Sequence, residues 1–178
     1  MASFNVQEFR AQMSLDGARP NLFNCELPFL GNLLGTASTK YNFMCRTAQL
    51  PGSTVNQVPV NYFGRELKFA GNRTFTDWTL QIINDEDFTI RRSLESWMNS
   101  INSHAGNIRA GNAQNPSSYS VDATVQQYGK TGEVIKTYKF VGMFPIDIAP
   151  IDLDWGSNDV IEEYSATFAF QYWESDTT

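Results

Sequence analysis

The densest group of acidic side chains in the sequence is a run of three carboxylates, Asp85, Glu86 and Asp87. Clustered carboxylates can bind a cation or stabilise the N-terminus of a helix. A calcium-binding loop requires a glycine at its sharp turn, and the segment "NDED" (84–87) has none. Because the apolar residues that follow recur at helical steps, we interpret the three carboxylates as the start of a helix.

A second candidate for calcium binding is the segment "DLDWGSNDVIEE" (152–163). Four oxygen-bearing side chains fall at positions one, three, seven and twelve of a calcium loop. These are Asp152, Asp154, Asn158 and Glu163. Gly156 comes one position early, however, so position five lacks a side-chain oxygen, and the segment leads into a strand instead of a helix. We interpret it as a polar turn and predict no metal site.

Few residues have the chemistry of a catalytic site. The only histidine, His104, is expected near a helix C-terminus, where a positive charge complements the dipole, and we assign no catalytic triad to it. Four carboxylates could meet in space for sugar hydrolysis, but solvated strand edges and turns explain them better. They are Asp77, Asp154, Glu162 and Glu163. The segment "FGRELKFAGNRT" (63–74) lacks the ending of a phosphate-binding loop. The sequence predicts no enzyme and no cofactor.

The charge balance bears on nucleic-acid binding. Thirteen basic and nineteen acidic side chains give a net charge of −6, with an isoelectric point near 4.7. Such a surface repels phosphate on average, and the only basic doublet, Arg91 and Arg92, is best explained as a solvated helix face. We expect no sequence-specific binding of nucleic acid.

The N-terminal segment (1–20) has neither a basic start nor a continuous apolar run, since Glu8 and Asp16 interrupt it. We therefore expect no signal peptide, and no segment has the apolar length of a transmembrane helix. A reducing compartment suits Cys25 and Cys45, which we predict to be buried free thiols on neighbouring strands. A disulfide is the alternative if those strands pair in register.

Most of the chain alternates apolar and polar residues with the period of two that is typical of half-buried strands. Trp78, Leu80 and Ile82 form one such apolar face. Further strands are predicted at 21–30, 41–50, 57–63, 65–71, 119–128, 133–142 and 164–172. Two connections are short and contain glycine, Gly64 and "GKTG" (129–132), so we predict tight hairpins there. The fold class is mainly β, an antiparallel barrel or sandwich in a single domain with one flanking α-helix.

The period changes to that of a helix after the acidic run. Four apolar residues at steps of four, three and four lie on one face. They are Ile90, Leu94, Trp97 and Ile101. We predict a helix over about 85–104, with Asn84 or Asp85 as its N-cap and Gly106 as the left-handed residue past its end.

Several longer segments share an order and spacing that is more specific than any short motif. They are "ARPNLF" (18–23), "LPG" (50–52) before "VPVNYFGRELKFAG" (58–71), "GNRTFTDWTLQIINDE" (71–86) and "LDWGSNDVIEEYSATFAFQYWE" (153–174). Together they resemble the tail tube protein family of contractile-tailed bacteriophages, over about residues 18–174. The N-terminal arm, residues 1–17, and the segment "GNLLGTAS" (31–38) have no clear counterpart.

The resemblance implies a barrel or sandwich subunit that assembles into hexameric rings, which stack to form the inner tail tube and conduct DNA. Strands of neighbouring subunits would then join into one barrel around the lumen. The acidic balance suits a conduit, because a basic lumen would hold phosphates. The implied partners are other copies of the chain, the tail sheath, the baseplate and the tail terminator. The tape measure protein and DNA would pass through the lumen, in a virion tail assembled in the host cytoplasm.

Two sets of residues become candidates for these roles. The hairpin tip is expected to contact the adjacent ring through Tyr62, Phe63, Gly64 and Arg65. An aromatic pair in a turn suggests a covered tip, although the rings could instead fold onto the subunit's own core. The polar strand faces could line the lumen or form the outer surface. Their residues are Asp77, Thr79, Gln81, Glu163, Ser165, Thr167 and Gln171.

Two other functions are compatible with the sequence. A tube protein of a non-viral contractile injection or secretion machine would have closely similar properties. A carbohydrate-binding β-sandwich is the more remote alternative, and it would remain a discrete particle instead of forming rings.

Overall fold

The computed structural model of the chain describes residues 5–13, 17–27 and 37–177. Its strands are β1 Phe23–Glu26, β2 Cys45–Ala48, β3 Ser53–Tyr62, β4 Arg65–Phe75, β5 Trp78–Ile83, β6 Val121–Tyr128, β7 Val134–Ile148, β8 Glu163–Ala169 and β9 Tyr172–Ser175. Its helices are α1 Val6–Gln12, α2 Ala37–Met44, α3 Thr89–Ile101 and the short α4 Pro116–Tyr119, with a 3₁₀ turn at Gly111–Ala113. The prediction of a mainly β, antiparallel fold is confirmed.

Seven of these strands form one sheet in the order β1-β6-β7-β8-β5-β2, with β9 paired to β7. The first part of β7 pairs with β6 and β9, whereas its last part pairs with β8. The two halves of the sheet face each other, since Trp78 on β5 stacks on Phe140 of β7 with ring centroids 4.3 Å apart. The result is a sandwich of two layers joined by β7. No closed barrel forms among the described strands.

Helix α3 covers part of the core and carries the predicted apolar face. Ile90, Leu94 and Trp97 are buried, and Ile101 packs against the same core. The indole Nε1 of Trp97 donates a hydrogen bond to the carbonyl of Tyr119 at 2.7 Å. The largest side chain of this face is therefore buried without leaving its polar atom unpaired.

The ends of α3 differ from the prediction. The helix begins at Thr89 after Phe88, which has a left-handed backbone, so neither Asn84 nor Asp85 is its N-cap. The Asn84 side chain instead donates to Glu162 Oε2 at 2.8 Å, which occupies it in a contact with a distant segment. Beyond the helix the left-handed residue is Asn107, with φ of 51°, and not Gly106.

The predicted strand at 41–50 is wrong in its first half, where α2 occupies Ala37–Met44 and β2 begins only at Cys45. Tyr41 and Cys45 are both buried, while Phe43 is exposed. A spacing of four residues fits both one helical face and every second position of a strand. The alternation alone therefore did not distinguish the two structures.

The two predicted hairpins are confirmed. Tyr62 pairs with Arg65 across the turn at Gly64, and Tyr128 pairs with Val134 across the turn at 129–132. The observed strands are longer than predicted at β4 and β7. The strand predicted at 21–30 corresponds to β1, and residues 28–30 lie outside the described residues.

Cys25 and Cys45 are buried free thiols, as predicted. They lie on β1 and β2, the two ends of the sheet path, which the curvature of the sandwich brings together. A hydrogen bond with Cys45, together with burial, raises the pKa of the Cys25 thiol well above its ordinary value. The Cys25 thiol is therefore protonated at neutral pH and acts as a small apolar side chain.

Candidate assembly surfaces

The hairpin of β3 and β4 stands apart from the sandwich as a two-stranded sheet of its own. We call these residues, Ser53–Phe75, the arm. Every residue of β3 is exposed, and β4 is exposed except at Gly71 and Phe75. A solitary two-stranded hairpin is at best marginally stable in water. Within the part of the chain that the structure describes, the arm therefore lacks the layer that would normally cover it.

One face of the arm is apolar. Val58 lies opposite Phe69 and Val60 lies opposite Leu67, so their side chains share a face. All four are about half exposed. The opposite face carries polar residues in the same stretch, with Asn61 opposite Glu66. The period-two pattern of 57–63 and 65–71 was visible in the sequence, but these four residues were not predicted to be a surface because such strands usually cover a core.

The tip of the arm exposes the predicted aromatic pair. Phe63 is 90% exposed and Tyr62 is 63% exposed, and Gly64 and Arg65 are exposed beside them. The alternative in which these rings fold onto the subunit's own core is therefore wrong.

The backbone of the turn is unusual for a phenylalanine. Phe63 has φ of 47° and Gly64 has φ of 75°, the positive values that a two-residue hairpin turn requires at both central positions. Asn-Gly is the sequence that such a turn favours, whereas a bulky side chain at positive φ is strained. The turn thus carries an exposed aromatic ring at a position where local stability would favour a smaller polar residue.

Four of the predicted lumen residues form one patch on the outer face of the layer of β5 and β8. Thr79 pairs with Thr167 and Gln81 pairs with Ser165, and the two threonine Oγ1 atoms are 3.1 Å apart. Their neighbours Trp78, Leu80 and Ile82 point into the core on the other side. We call this the outer polar face.

The remaining predicted lumen residues lie at the borders of this face. Glu163 continues the alternation of β8 and forms an ion pair with Arg46 next to β5. Asp77 comes just before β5, and Gln171 lies in the break between β8 and β9, where its side chain lies over Gly142. Asp147 of β7 is exposed and pairs with Thr167, so it joins the face. It was missed because this pairing crosses twenty residues of sequence with no local signal.

The run of three carboxylates at residues 85–87 has a structural role. Asp85 and Asp87 both form ion pairs with Lys40 of α2, and Asp87 Oδ1 also accepts the Thr89 amide at 2.9 Å. The Lys40 side chain, followed by this amide, lowers the pKa of Asp87 to about 2. The carboxylates join α2 to the start of α3.

The other candidates for chemistry are not assembled into a site. His104 contacts Asn99 Oδ1 at 3.0 Å, beyond the end of α3. Within the described residues no group of three or more His, Cys, Asp or Glu side chains is arranged to hold a metal ion. Among the helices of the same residues, none combines the length and the apolar character needed to cross a bilayer.

Comparison with known sequences points to one family. Residues 8–176 match the family model described as phage tail tube protein. The chain is 36% identical over 166 residues to tail tube protein gp19 of Enterobacteria phage T4, covering 93% of this chain and 96% of that protein. It is 26% identical over 168 residues to the tail tube protein of Serratia phage KSP90, covering 93% of both.

Solved structures share the fold at lower identity. A chain of the sheath-tube complex of the PVC extracellular contractile injection system has a TM-score of 0.60 at 15% identity, covering 98% of this chain and 99% of that one. A chain of the tube-terminating cap of the anti-feeding prophage has a TM-score of 0.64 at 14% identity and covers 100% of both.

Proposed function

The chain belongs to the phage tail tube protein family and is a structural protein of the virion tail, and from this premise we propose how its surfaces build the tube. Six copies form a ring, and rings stack into the inner tail tube that conducts DNA. The arm makes the contact between subunits, and the outer polar face lines the lumen.

The exposed arm is the observation that carries the proposal. Its apolar face and its aromatic tip leave water only when another molecule covers them. Burying Val58, Val60, Leu67 and Phe69 would contribute on the order of 1 kcal/mol each at their present half exposure. Because tube subunits of this family polymerise, we take the molecule that covers the arm to be a second copy of the chain. The strained turn at Phe63 supports the same role, because strain retained at a surface residue is common at functional sites.

The lumen assignment rests on the chemistry of the outer polar face. The face consists of hydroxyl and amide groups with acidic residues at its borders, and its nearby cation, Arg46, is already paired with Glu163. Unpaired cations would bind DNA phosphates with a salt-dependent affinity and retard the strand. A neutral to acidic face instead lets DNA pass.

The same assembly defines the partners. The tail sheath would surround the tube, the baseplate would nucleate it, and the terminator would close it, while the tape measure protein and DNA occupy the lumen. Assembly takes place in the host cytoplasm. The subunit acts by packing and not as an enzyme.

A tube protein of a non-viral contractile injection machine is the second candidate, and the likeness in fold to injection-system chains favours it. The 36% identity to a phage protein over nearly the whole chain weighs towards the phage tube. No observation specifically favours a carbohydrate-binding sandwich.

Electron microscopy of the purified protein tests the proposal. The expected result is rings with sixfold symmetry, and stacked tubes when a baseplate or preformed tube end is supplied. A protein that remains monomeric at high concentration with such a nucleator would contradict it. Rings of another symmetry would contradict the proposal of six copies per ring but not the proposal of a tube.

A further inference from the structure

A groove of about 1020 Å³ lies between α1 and the turn that joins β6 to β7. Val6 and Phe9 line it from the helix, Met13 lines it from the residue just past the helix, and Ile135 of β7 lines it from the other side. None of the residues of α1 is buried. The helix therefore presents apolar side chains to a groove that the described residues of its own subunit do not fill.

Among the described residues that line this groove, the charges are mainly positive. Arg10, Arg19 and Lys130 line it together with one acid, Glu133. The Glu133 carboxylate lies over the backbone of Gly129 in the turn. In a chain whose net charge is −6, this is a local excess of cations beside an apolar surface. The chemistry favours an occupant that is both apolar and acidic.

The connection from β7 to β8 has this composition. We call residues 149–162 the β7–β8 loop. Four of its large apolar side chains are exposed, Trp155 fully so and with it Leu153, Val160 and Ile161. Ile151, near the start of the loop, packs against the core instead. Acidic residues are interspersed among them, at positions 152, 154, 159 and 162. The amide of Gly156 donates to Asp154 Oδ1 at 3.0 Å, which fixes a turn with the indole of Trp155 at its apex.

The loop and the groove are separated within one subunit because they lie at opposite ends of β7. Ile135, which lines the groove, is the second residue of the strand, and the loop begins after Ile148. A strand of this length extends over up to about 45 Å. A contact between these two surfaces therefore joins two copies head to tail, the type of contact that generates rings or filaments.

We propose that the β7–β8 loop of one copy docks in the groove between α1 and the β6–β7 turn of the next copy. Trp155 and Leu153 enter the apolar groove, and the aspartates of the loop face the cations at its rim. The inference rests on the proposed tube function, since it names a second contact between copies that is independent of the arm.

Photo-crosslinking tests this contact directly. Trp155 is replaced by p-benzoylphenylalanine, which the full exposure of this position should tolerate, and assemblies are formed from mixed ¹⁴N- and ¹⁵N-labelled protein. We expect cross-links between copies that join position 155 to peptides containing residues 5–13 or 128–135. The same replacement at Ile108, an exposed apolar position outside the loop, should give no such cross-links.

A charge reversal of the groove provides the second measurement. Arg10→Glu with Lys130→Glu should raise the critical concentration for assembly at least tenfold at low salt, and less at high salt. Arg92→Glu with Arg109→Glu makes the same charge change at two exposed arginines elsewhere and should have a smaller effect.

The two proposals fail in different ways. Cross-links from position 155 only to other surfaces, or an unchanged critical concentration for the groove variant, would overturn the loop contact while the tube stands. A wild-type protein that forms no assemblies with a nucleator would overturn the tube, and the loop contact with it.

Discussion

Tyr62 and Phe63 meet edge to face at the tip of the arm, with ring centroids 4.5 Å apart and ring planes at 82°. Both rings are largely exposed to solvent. The turn below them keeps Phe63 at a positive φ that asparagine would adopt at lower cost. Local stability therefore favours asparagine at position 63, whereas the proposed contact between copies requires the aromatic ring.

The variant Phe63→Asn should affect subunit stability and assembly in opposite directions. The exchange should relieve the backbone strain and stabilise the turn by about 1 kcal/mol, measured as an increased free energy of unfolding of the unassembled subunit. The same variant should polymerise poorly, because it lacks the ring that we propose contacts the neighbouring copy. Phe88→Asn is the matched control, since Phe88 also has a positive φ, 52°, but lies outside the arm. Normal tubes from Phe63→Asn would rule out a role for the tip.

The apolar face of the arm can be tested against its polar face. Val60→Thr retains the branched side chain that suits a strand but puts a hydroxyl group in the proposed interface, so it should raise the critical concentration by about tenfold, from roughly 1–2 kcal/mol per contact. Asn61→Thr introduces the same residue on the opposite face and should have little effect. Equal effects of the two variants, measured by sedimentation, would contradict an apolar docking face.

Positive charge on the outer polar face should slow the passage of DNA. Gln81→Lys adds one cation per copy opposite Ser165, and DNA ejection from particles with this variant should be slower at low salt than at high salt. Gln114→Lys makes the same exchange at an exposed position away from this face. If both variants eject DNA at the wild-type rate under both conditions, the face does not line the lumen.

Removing the cation at Lys40 should change the titration of Asp87. The folded-state pKa of Asp87 is about 2, below the unfolded value of about 3.9, so its contribution to stability is present above the unfolded value and is lost as the pH falls through about 2. Lys40→Gln should raise this pKa towards the ordinary value, as measured by NMR titration of the side-chain carboxyl.

Asp122 provides the internal reference for that titration, because its pKa is lowered mainly by Lys139 instead. Its titration should not change in the Lys40→Gln variant. An unchanged pKa of Asp87 would show that the ion pair is absent in solution.

Replacing Tyr41 by phenylalanine should make the folded protein more stable. Its hydroxyl is buried without a hydrogen-bond partner among the described residues, and burial raises its pKa well above the ordinary value. Tyr41→Phe removes an unpaired polar atom and should increase the free energy of unfolding by about 1 kcal/mol. Tyr128→Phe, which loses a 2.9 Å hydrogen bond to Gln126, should not be stabilised. A destabilised Tyr41→Phe variant would indicate a partner for the hydroxyl.

Sequence patterns correctly predicted those elements that depend on residues close together in the chain. Gly64 predicted the turn of the arm, and the spacing of Ile90, Leu94 and Trp97 predicted the buried face of α3. The pattern failed at α2, where Tyr41 and Cys45 satisfy both periods. The N-cap of α3 was also wrong, because Asn84 bonds to Glu162, a partner that no local rule identifies.

The candidate surfaces were only partly predictable for a related reason. The exposed tip at Tyr62 and Phe63 could be read from an aromatic pair in a turn, but Val58 and Phe69 have the pattern of any half-buried strand. Whether such a face covers its own core or another copy depends on the position of the whole hairpin. The pairing of Thr79 with Thr167, and of Asp147 with the latter, likewise depends on long-range register.

Strand β7 has a mechanical consequence. It is a continuous segment of 15 residues whose first part pairs with β6 and β9 and whose last part pairs with β8. If copies join head to tail through its two ends, tension is carried within each subunit by a covalent backbone whose flanking hydrogen bonds share the load in shear. At the proposed junction between the β7–β8 loop and the groove it is carried by side-chain contacts. A tube stretched between optical traps should therefore rupture at a junction between copies, without the stepwise lengthening that would accompany unravelling of a subunit.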